Sequence, residues 1–236
     1  MLDKITGNYH DRSGWAKRYL GWFCQLAGLR VHVTGTPSKE PCLIISNHIS
    51  WTDIPVLGSL IPVYFLSKAE VRSWPLIGAL AEQAGTFFVQ RGDGKSALVR
   101  EEIEARLNKK KNVLVFPEGT TSGGESVLRF HSKLIGAASN AEVAIQPITL
   151  YYQNANGGRC VETPFVGNDE FLTHLKKIFA KPYVQVRVHF HPLYQLAKDA
   201  DINLATAELH QQIEKQLYNT CTLATNARPR YAERTV

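Results

Sequence analysis

The sequence lacks any uncharged apolar stretch of the roughly 18 to 20 residues that a membrane-spanning helix needs. The longest apolar stretch, residues 54–67, contains two prolines and a glycine, which favours a buried helix followed by a strand. A signal peptide is not recognisable either, because Asp3 and Asp11 interrupt the first residues and no apolar core precedes a cleavage site. Repeats, low-complexity tracts and Pro/Gly/Ser-rich linkers are also absent. These absences favour one globular domain that does not cross a membrane.

Cysteine is scarce, and its spacing argues against two kinds of site. The chain has four cysteines and no Cys-x-x-Cys pair, so we expect reduced thiols in a cytosolic compartment, no disulfide framework and no structural zinc. His189 and His191 alternate along a predicted strand, but their face also carries Gln185 and Arg187. That pattern is typical of the wet face of a half-buried strand and predicts no metal site.

Signals for nucleic-acid binding are also missing, although the chain is basic. The formal net charge is +6 and the pI is near 9.1, which favours anionic partners such as membrane lipid or the phosphates of coenzyme A. No zinc-finger spacing, ribonucleoprotein aromatic motif or basic recognition helix is present. We therefore expect no nucleic-acid partner.

The first informative motif is Asn-His-Ile-Ser-Trp-Thr-Asp at residues 47–53. An apolar run at 43–45 predicts a buried strand that delivers His48 to a loop. Asp53 lies five positions further on, so its side chain can reach His48 only if the chain turns between them. Thr52 is predicted to cap a helix that begins at Asp53.

This spacing suits a catalytic dyad. A carboxylate on one imidazole nitrogen of His48 would fix the tautomer and leave the other nitrogen free to take a proton from a substrate hydroxyl. The sequence has no Gly-x-Ser-x-Gly elbow, and none of its cysteines shares a motif with a histidine. Direct attack by an acceptor hydroxyl is the simpler mechanism. The competing interpretation is that His48 is a satisfied polar residue at a strand end and Asp53 only a helix-capping charge.

The second motif follows another predicted strand, at 112–116, which Pro117 ends. Glu118 and Gly119 begin a seven-residue stretch, Glu-Gly-Thr-Thr-Ser-Gly-Gly, that can turn several backbone N–H groups toward one point. Donors near Gly119 and Thr120 would stabilise the oxyanion of an acyl transfer. Read alone, the stretch could also be an ordinary glycine-rich turn.

Together and in this order, the motifs resemble the glycerolipid acyltransferase family typified by lysophosphatidic acid acyltransferases. Between them, Lys68, Pro75, Gly78 and a Gly-x-x-x-x-x-Arg stretch ending at Arg91 resemble the family's second block, and residues 143–148 resemble its fourth. The resemblance spans residues 47–148. It implies a general base, its partner carboxylate and a set of residues that hold the acceptor head group: His48; Asp53; and Lys68, Arg91, Glu118, Gly119, Thr120 and Thr121.

One departure affects the expected substrate. The family commonly carries arginine after Glu-Gly-Thr, where this chain has Thr121, so a bidentate phosphate contact is missing. Arg129 or Lys133 could replace it, or could be solvated surface charges. Lysophosphatidate (1-acylglycerol-3-phosphate), giving phosphatidic acid, is the first choice of acceptor, and lyso-ornithine lipid or another lysolipid is the alternative. The implied donor is acyl-CoA or acylated acyl carrier protein as a co-substrate, with no bound cofactor.

The element order predicts an α/β fold, an open mixed sheet flanked by helices. Predicted strands lie at 31–34, 43–46, 63–66, 86–89, 113–116, 143–151 and 184–190, and helices at 95–109 and 202–217. Apolar residues recur every four positions in both helices, which predicts core-facing stripes: Val99, Ile103 and Leu107, then Leu209, Ile213 and Leu217. The predicted division is a membrane-interfacial helical segment at 1–30, an acyltransferase domain at 31–220 and a polar tail at 221–236.

The N-terminal segment mixes aromatic and basic residues. Trp15, Trp22, Phe23 and Leu26 lie among Lys17, Arg18 and Arg30, a pattern that suits an amphipathic helix in a membrane interface. The alternative is a helix packed on the domain. The sequence thus predicts a monotopic membrane-associated acyltransferase, on the cytoplasmic face of the inner membrane if bacterial. A catalytically silent lipid-surface binding protein is the alternative class.

Overall fold

A computed structural model describes residues 13–73, 78, 81–82, 86–89, 96–154, 157–197 and 199–226. Its strands are β1 Leu29–Gly35, β2 Leu43–Ser46, β3 Tyr64–Lys68, β4 Phe87–Val89, β5 Val113–Val115, β6 Ile145–Gln153 and β7 Val184–Phe190. Its helices include α1 Ser13–Leu26, α2 Asp53–Leu60, α3 Ser96–Asn108, α4 Ser132–Asn140, α5 Phe171–Phe179 and α6 Ile202–Asn226, and a 3₁₀ helix spans Ala69–Ser73.

The strands form a mixed sheet in the order β1-β7-β6-β2-β5-β3-β4. All neighbouring strands are parallel except β6 and β7, which are antiparallel. Each predicted strand is present, with ends that differ by no more than a few residues, and the predicted fold class is confirmed. Because β2, β5 and β6 are parallel neighbours, their carboxyl ends meet at one edge of the sheet, where α/β proteins bind their ligands.

Helices cover both faces of the sheet. Val99, Ile103 and Leu107 of α3 and Leu209, Ile213 and Leu217 of α6 are all buried, as their spacing predicts. Strand β6 is buried along its whole length, because its alternate side chains enter the hydrophobic clusters of both faces. Helix α6 continues to Asn226, beyond the predicted end at residue 217, since no glycine or proline interrupts the intervening sequence. The first six residues of the predicted polar tail are therefore helical.

Helix α1 packs on the domain and also presents apolar side chains to solvent. Ala16, Leu20 and Cys24 are buried against the domain, and Gly58 of α2 allows the close approach, because a Cβ there would lie 2.5 Å from a methyl carbon of Leu20. Trp15 is 72% exposed on the other side of α1. Trp22 and Leu26 are also exposed there. Within the described residues, no helix is long and apolar enough to cross a membrane.

Candidate active site

Asn47 fixes the position of the first motif at the carboxyl end of β2. Its side-chain amide donates to the carbonyl of Leu150 at 3.0 Å, and its Oδ1 accepts from the Leu150 N–H at 2.8 Å. This pair of bonds replaces backbone pairing between β2 and β6 where β2 ends. The following residue, His48, therefore leaves the sheet at a defined point above the carboxyl edge.

The chain then turns and brings His48 and Asp53 together. The Asp53 N–H donates to the Ser50 carbonyl at 3.1 Å, which closes the predicted turn. Nδ1 of His48 lies 2.7 Å from Oδ2 of Asp53. The Asp53 side chain is fully buried, whereas 18% of the His48 side chain is exposed. Such a pair holds the histidine in one tautomer, in which Nδ1–H donates to the carboxylate.

Asp53 accepts more hydrogen bonds than the one from His48. Its Oδ2 also accepts from the N–H groups of Ile49 at 2.7 Å and Ser50 at 3.0 Å, much as a capping-box side chain reaches back to a preceding amide. Its Oδ1 accepts from the Tyr152 hydroxyl at 2.6 Å. Four donors thus converge on one carboxylate. An ionised carboxylate offers acceptor sites for all of them.

Two residues near Asp53 differ from the sequence-based interpretation. Thr52 occupies the N-cap position of α2, but its hydroxyl makes no capping bond and instead donates to the Tyr152 hydroxyl at 2.9 Å. The prediction of Thr52 as a capping side chain is wrong, because this buried hydroxyl finds a tertiary partner. Tyr152 was missed altogether. It lies one residue beyond the predicted strand, and nothing in its local sequence points to Asp53.

The imidazole of His48 is held by stacking as well as by Asp53. It lies flat on the Phe116 ring, with centroids 3.9 Å apart and planes 10° apart. No hydrogen-bond partner of Nε2 occurs within the described part of the chain. Nε2 of His48 is therefore positioned to take a proton from a bound hydroxyl.

Trp51, inside the first motif, ties the turn to α5. Its indole N–H donates to Nδ1 of His174 at 2.9 Å, and Nε2 of His174 donates to the Pro164 carbonyl at 3.0 Å. Burial lowers the pKa of His174, so the ring stays neutral and can accept at one nitrogen while donating from the other. The turn is thus connected to α5 through Trp51, two positions before Asp53.

Glu118 braces the second motif against the first. Its Oε1 accepts from the His48 N–H at 2.7 Å and its Oε2 from the Leu128 N–H at 2.9 Å. Burial raises the pKa of this carboxyl to about 7, although the two backbone donors act in the opposite direction. Both oxygens are already in use in the protein. A contact between Glu118 and the acceptor stays a prediction.

The turn after Glu118 approaches the His48 loop. Gly119 has a φ of 73°, a conformation that favours glycine, and its N–H donates to the Phe116 carbonyl at 3.1 Å. Ser122 donates its N–H to the His48 carbonyl at 2.8 Å. The N–H groups of Thr120 and Thr121 have no hydrogen-bond partner within the described residues. These two amides are the candidate oxyanion donors.

The remaining predicted head-group residues are less well defined. Lys68 is the last residue of β3, and its side chain lies outside what the structure describes. Arg91 lies outside the described residues. Thr121, which stands in place of the family arginine, donates its hydroxyl to the Phe165 carbonyl. Arg129 and Lys133, the two residues proposed to replace that arginine, are both exposed. Their part in substrate binding stays a prediction.

Another cation contacts the turn. Arg159 donates to the Gly123 carbonyl at 2.7 Å and to the Glu125 carboxylate at 2.5 Å. Sequence reasoning missed it, because it lies in none of the motifs. His191, expected on a wet strand face, is buried and hydrogen-bonded to Thr149, so that expectation is wrong at this position. Among the described residues, no group of three or more His, Cys, Asp or Glu could hold a metal ion.

Comparison with known proteins identifies the family. The acyltransferase family model matches residues 29–151, which include both motifs. The chain belongs to the acyltransferase family. The family resemblance inferred from the motifs is thereby confirmed.

Relatives within this family carry two different names. The chain is similar to the lyso-ornithine lipid O-acyltransferase of Pseudomonas aeruginosa, with 46% identity over 160 residues, 68% of this chain and 62% of the relative's length. It is similar to the enzyme of the same name from Brucella abortus, with 37% identity over 79% of this chain and 77% of that relative. The 1-acyl-sn-glycerol-3-phosphate acyltransferase of Neisseria meningitidis is 29% identical over 74% of this chain and 68% of its own length.

A solved structure supports the fold. The crystal structure of the 1-acyl-sn-glycerophosphate acyltransferase of Thermotoga maritima aligns with a TM-score of 0.63 at 18% identity, over 88% of this chain and 77% of the other. At that identity the match bears on the fold alone. It agrees with the mixed sheet and its flanking helices.

Proposed function

We propose that this protein transfers a fatty acyl group from a thioester to the free hydroxyl of a lysolipid. The observation that carries the proposal is the His48–Asp53 pair, with Nδ1 bound to a buried carboxylate and Nε2 without a hydrogen-bond partner among the described residues. A nearby turn offers the amides of Thr120 and Thr121, which bond to no other group in the part of the chain that the structure describes. A base and a group of amide donors are the two parts that direct acyl transfer to a hydroxyl needs.

The reaction follows from this arrangement. Nε2 of His48 takes the proton of the acceptor hydroxyl as its oxygen attacks the thioester carbon, and Asp53 stabilises the resulting imidazolium. The negative charge that develops on the thioester oxygen is stabilised by backbone amides. Collapse of the tetrahedral intermediate breaks the carbon–sulfur bond, and the thiolate takes the proton back from His48. The products are an acylated lipid and a free thiol, and His48 is regenerated.

The acceptor that we favour is lyso-ornithine lipid. Relatives that are 46% and 37% identical carry that name, and Thr121 replaces the arginine that a phosphate would use. Lysophosphatidate, the first choice from sequence, stays the second candidate because relatives such as the Neisseria enzyme carry its name. The proposed donor is acyl-CoA or acylated acyl carrier protein.

We also propose that the protein works on a membrane surface. Trp15, Trp22 and Leu26 project from α1 into solvent, and Arg18 lies over the Trp15 ring at 5.9 Å. Exposed aromatic residues beside cations suit the interface of an anionic bilayer. This contact would leave the protein monotopic, on the cytoplasmic face of the inner membrane if bacterial.

Thiol release across a panel of acceptors tests the proposal. Purified protein with acyl-CoA or acylated acyl carrier protein would be mixed with lyso-ornithine lipid or lysophosphatidate in detergent micelles, and lipid products would be identified by mass spectrometry. We expect acylation of at least one acceptor, faster with lyso-ornithine lipid, and none with folded His48→Ala. The Thr121→Arg variant should improve the use of lysophosphatidate. If neither donor gave transfer to any acceptor, the proposal would be contradicted.

A further inference from the structure

Arg159 is held over the glycine-rich turn by backbone contacts. It follows the end of β6, pairs with Gln153 in an antiparallel bridge and is succeeded by Cys160, whose N–H donates to the Tyr152 carbonyl at 2.9 Å. From there its guanidinium reaches the Gly123 carbonyl at 2.7 Å. The cation is thus attached to the strand end that also carries Tyr152, the partner of Asp53.

The turn beneath Arg159 is attached to the catalytic loop. Ser122, next to Gly123, donates its N–H to the His48 carbonyl at 2.8 Å. Gly124 is so close to the residue after His48 that a Cβ there would lie 3.2 Å from Ile49 Cδ1. A group bound by Arg159 would therefore sit at the carboxyl edge of the sheet, beside the loop that carries the base.

Arg159 also forms an ion pair with the exposed carboxylate of Glu125. Its second guanidinium contact is with Glu125, whose side chain is 70% exposed, whereas the Arg159 side chain is 27% exposed. Two guanidinium N–H groups bond to Gly123 and Glu125, and a guanidinium has five. A water-exposed pair of this kind contributes little to stability, so rearranging it around a ligand costs little.

We propose that Arg159 and Glu125 form the head-group site for a zwitterionic amino-acid lipid. Arg159 would bind the carboxylate of the acceptor, and Glu125 its ammonium group. An ornithine attached to a lipid through one amine keeps one of each charge, which this pair complements. A phosphate monoester has only negative charge, which Glu125 would repel. The inference rests on the proposed acyl transfer and specifies the acceptor class of that same site.

Chemically altered acceptors test each arm of the site separately. The acceptors would be lyso-ornithine lipid, the same lipid with its carboxylate methylated to an ester, and the same lipid with its free amine acetylated. The kcat/KM for each acceptor would be measured with the wild type, Arg159→Met and Glu125→Gln. Arg187→Met is the matched control, because Arg187 also bonds to Gln153 but from β7. The ratio of kcat/KM between two acceptors is taken within one variant, so a general loss of activity in that variant cancels.

The expected result is a crossed pattern. The wild type should use the methyl ester and the acetylated lipid about tenfold less well each, a size that fits loss of a partly exposed charge-assisted hydrogen bond. Arg159→Met should remove the methyl-ester penalty and keep the acetylation penalty, while Glu125→Gln should do the reverse. Arg187→Met should keep both.

If Arg159→Met and Glu125→Gln showed the same methyl-ester and acetylation penalties as the wild type, the inference would be overturned. The ion pair would then have only a structural role in the turn. If Arg159→Met proved inactive with every acceptor, the exposed Glu125→Gln variant would decide the question alone through the acetylation penalty. Absence of transfer by the wild type to any lysolipid would instead refute the proposed function. The two failures are therefore distinguishable.

Discussion

The Tyr152 hydroxyl donates to Oδ1 of Asp53 at 2.6 Å, on the carboxylate oxygen that His48 does not use. It accepts in turn from the Thr52 hydroxyl at 2.9 Å. A buried chain of hydroxyls thus ends on the carboxylate that orients the base. Tyr152 is a positioning residue in this arrangement, because it acts on His48 only through Asp53.

Tyr152→Phe should slow transfer without abolishing it. The variant keeps the ring but removes one of four donors to Asp53, so we expect about a tenfold lower kcat with little change in acceptor KM, in line with the loss of one hydrogen bond to a charged group. Thr52→Val is the control, since it leaves the Tyr152–Asp53 bond in place and should have a smaller effect. The measurement is kcat as a function of pH. A kcat profile that is identical for Tyr152→Phe and the wild type would show that the hydroxyl does not position the dyad.

His48→Ala should abolish transfer while the fold stays intact, and Asp53→Asn should be severely impaired. Loss of a general base costs on the order of 10² to 10⁴ in rate. The NH₂ group of the asparagine would also face a donor where Asp53 now accepts from Ile49, Ser50 or Tyr152. The Asp53→Asn protein should therefore be less stable as well. Thiol release and circular dichroism on the same samples separate the two effects. Near-normal turnover by a folded His48→Ala protein would require another base.

Glu118→Gln should destabilise the protein by about 1 to 3 kcal/mol, because the glutamine NH₂ would face the N–H of either His48 or Leu128 and leave a buried donor unpaired. Glu162→Gln is a suitable control, since Glu162 makes an ion pair with Lys181 at the surface, and its loss should change the free energy of unfolding by less than about 1 kcal/mol. Urea unfolding measures both. Equal stability of the two variants would contradict the bracing role of Glu118.

Replacing Trp15, Trp22 and Leu26 with serine should weaken binding to anionic liposomes. Each of these exposed side chains could contribute roughly 1.5 to 3 kcal/mol if fully buried in the interface. Phe23 is unsuitable for this test, because it packs against Trp51 of the first motif. The matched control replaces three exposed apolar residues of the helices α3 and α6 (Leu98, Leu204 and Tyr218) with serine. Equal co-sedimentation of the two triple variants would place the membrane contact elsewhere.

Stability should fall in acid because of His191. Burial, with a smaller effect from His189, lowers the pKa of His191 from 6.5 to about 4. The unfolded chain therefore binds the proton of this histidine more readily than the folded protein does. The resulting contribution of His191 to the free energy of unfolding is fully present above pH 6.5 and is lost as the pH falls toward 4. We expect His191→Gln to lose less stability than the wild type between pH 7 and pH 5, by an amount on the order of 1 kcal/mol. Parallel acid profiles in thermal unfolding would show that His191 does not titrate in this way.

Local patterns in the sequence determined the strands, the core-facing helical stripes and the turn that joins His48 to Asp53. These features depend on residues close together in the chain, where side-chain period and turn chemistry act directly. The order of the two motifs also identified the family. Its fold followed.

Only the tertiary structure decided which distant groups meet at the site. Tyr152 lies 99 positions from Asp53, Glu118 lies 70 positions from His48, and Arg159 lies 34 positions from Glu125. They meet because β2 lies between β6 and β5 as a parallel neighbour of both, which places the carboxyl ends of β2, β5 and β6 side by side. A local hydrophobic pattern specifies that a segment is a strand but carries no information about its neighbours in the sheet, so the partners of Asp53 and of the glycine-rich turn were fixed by packing.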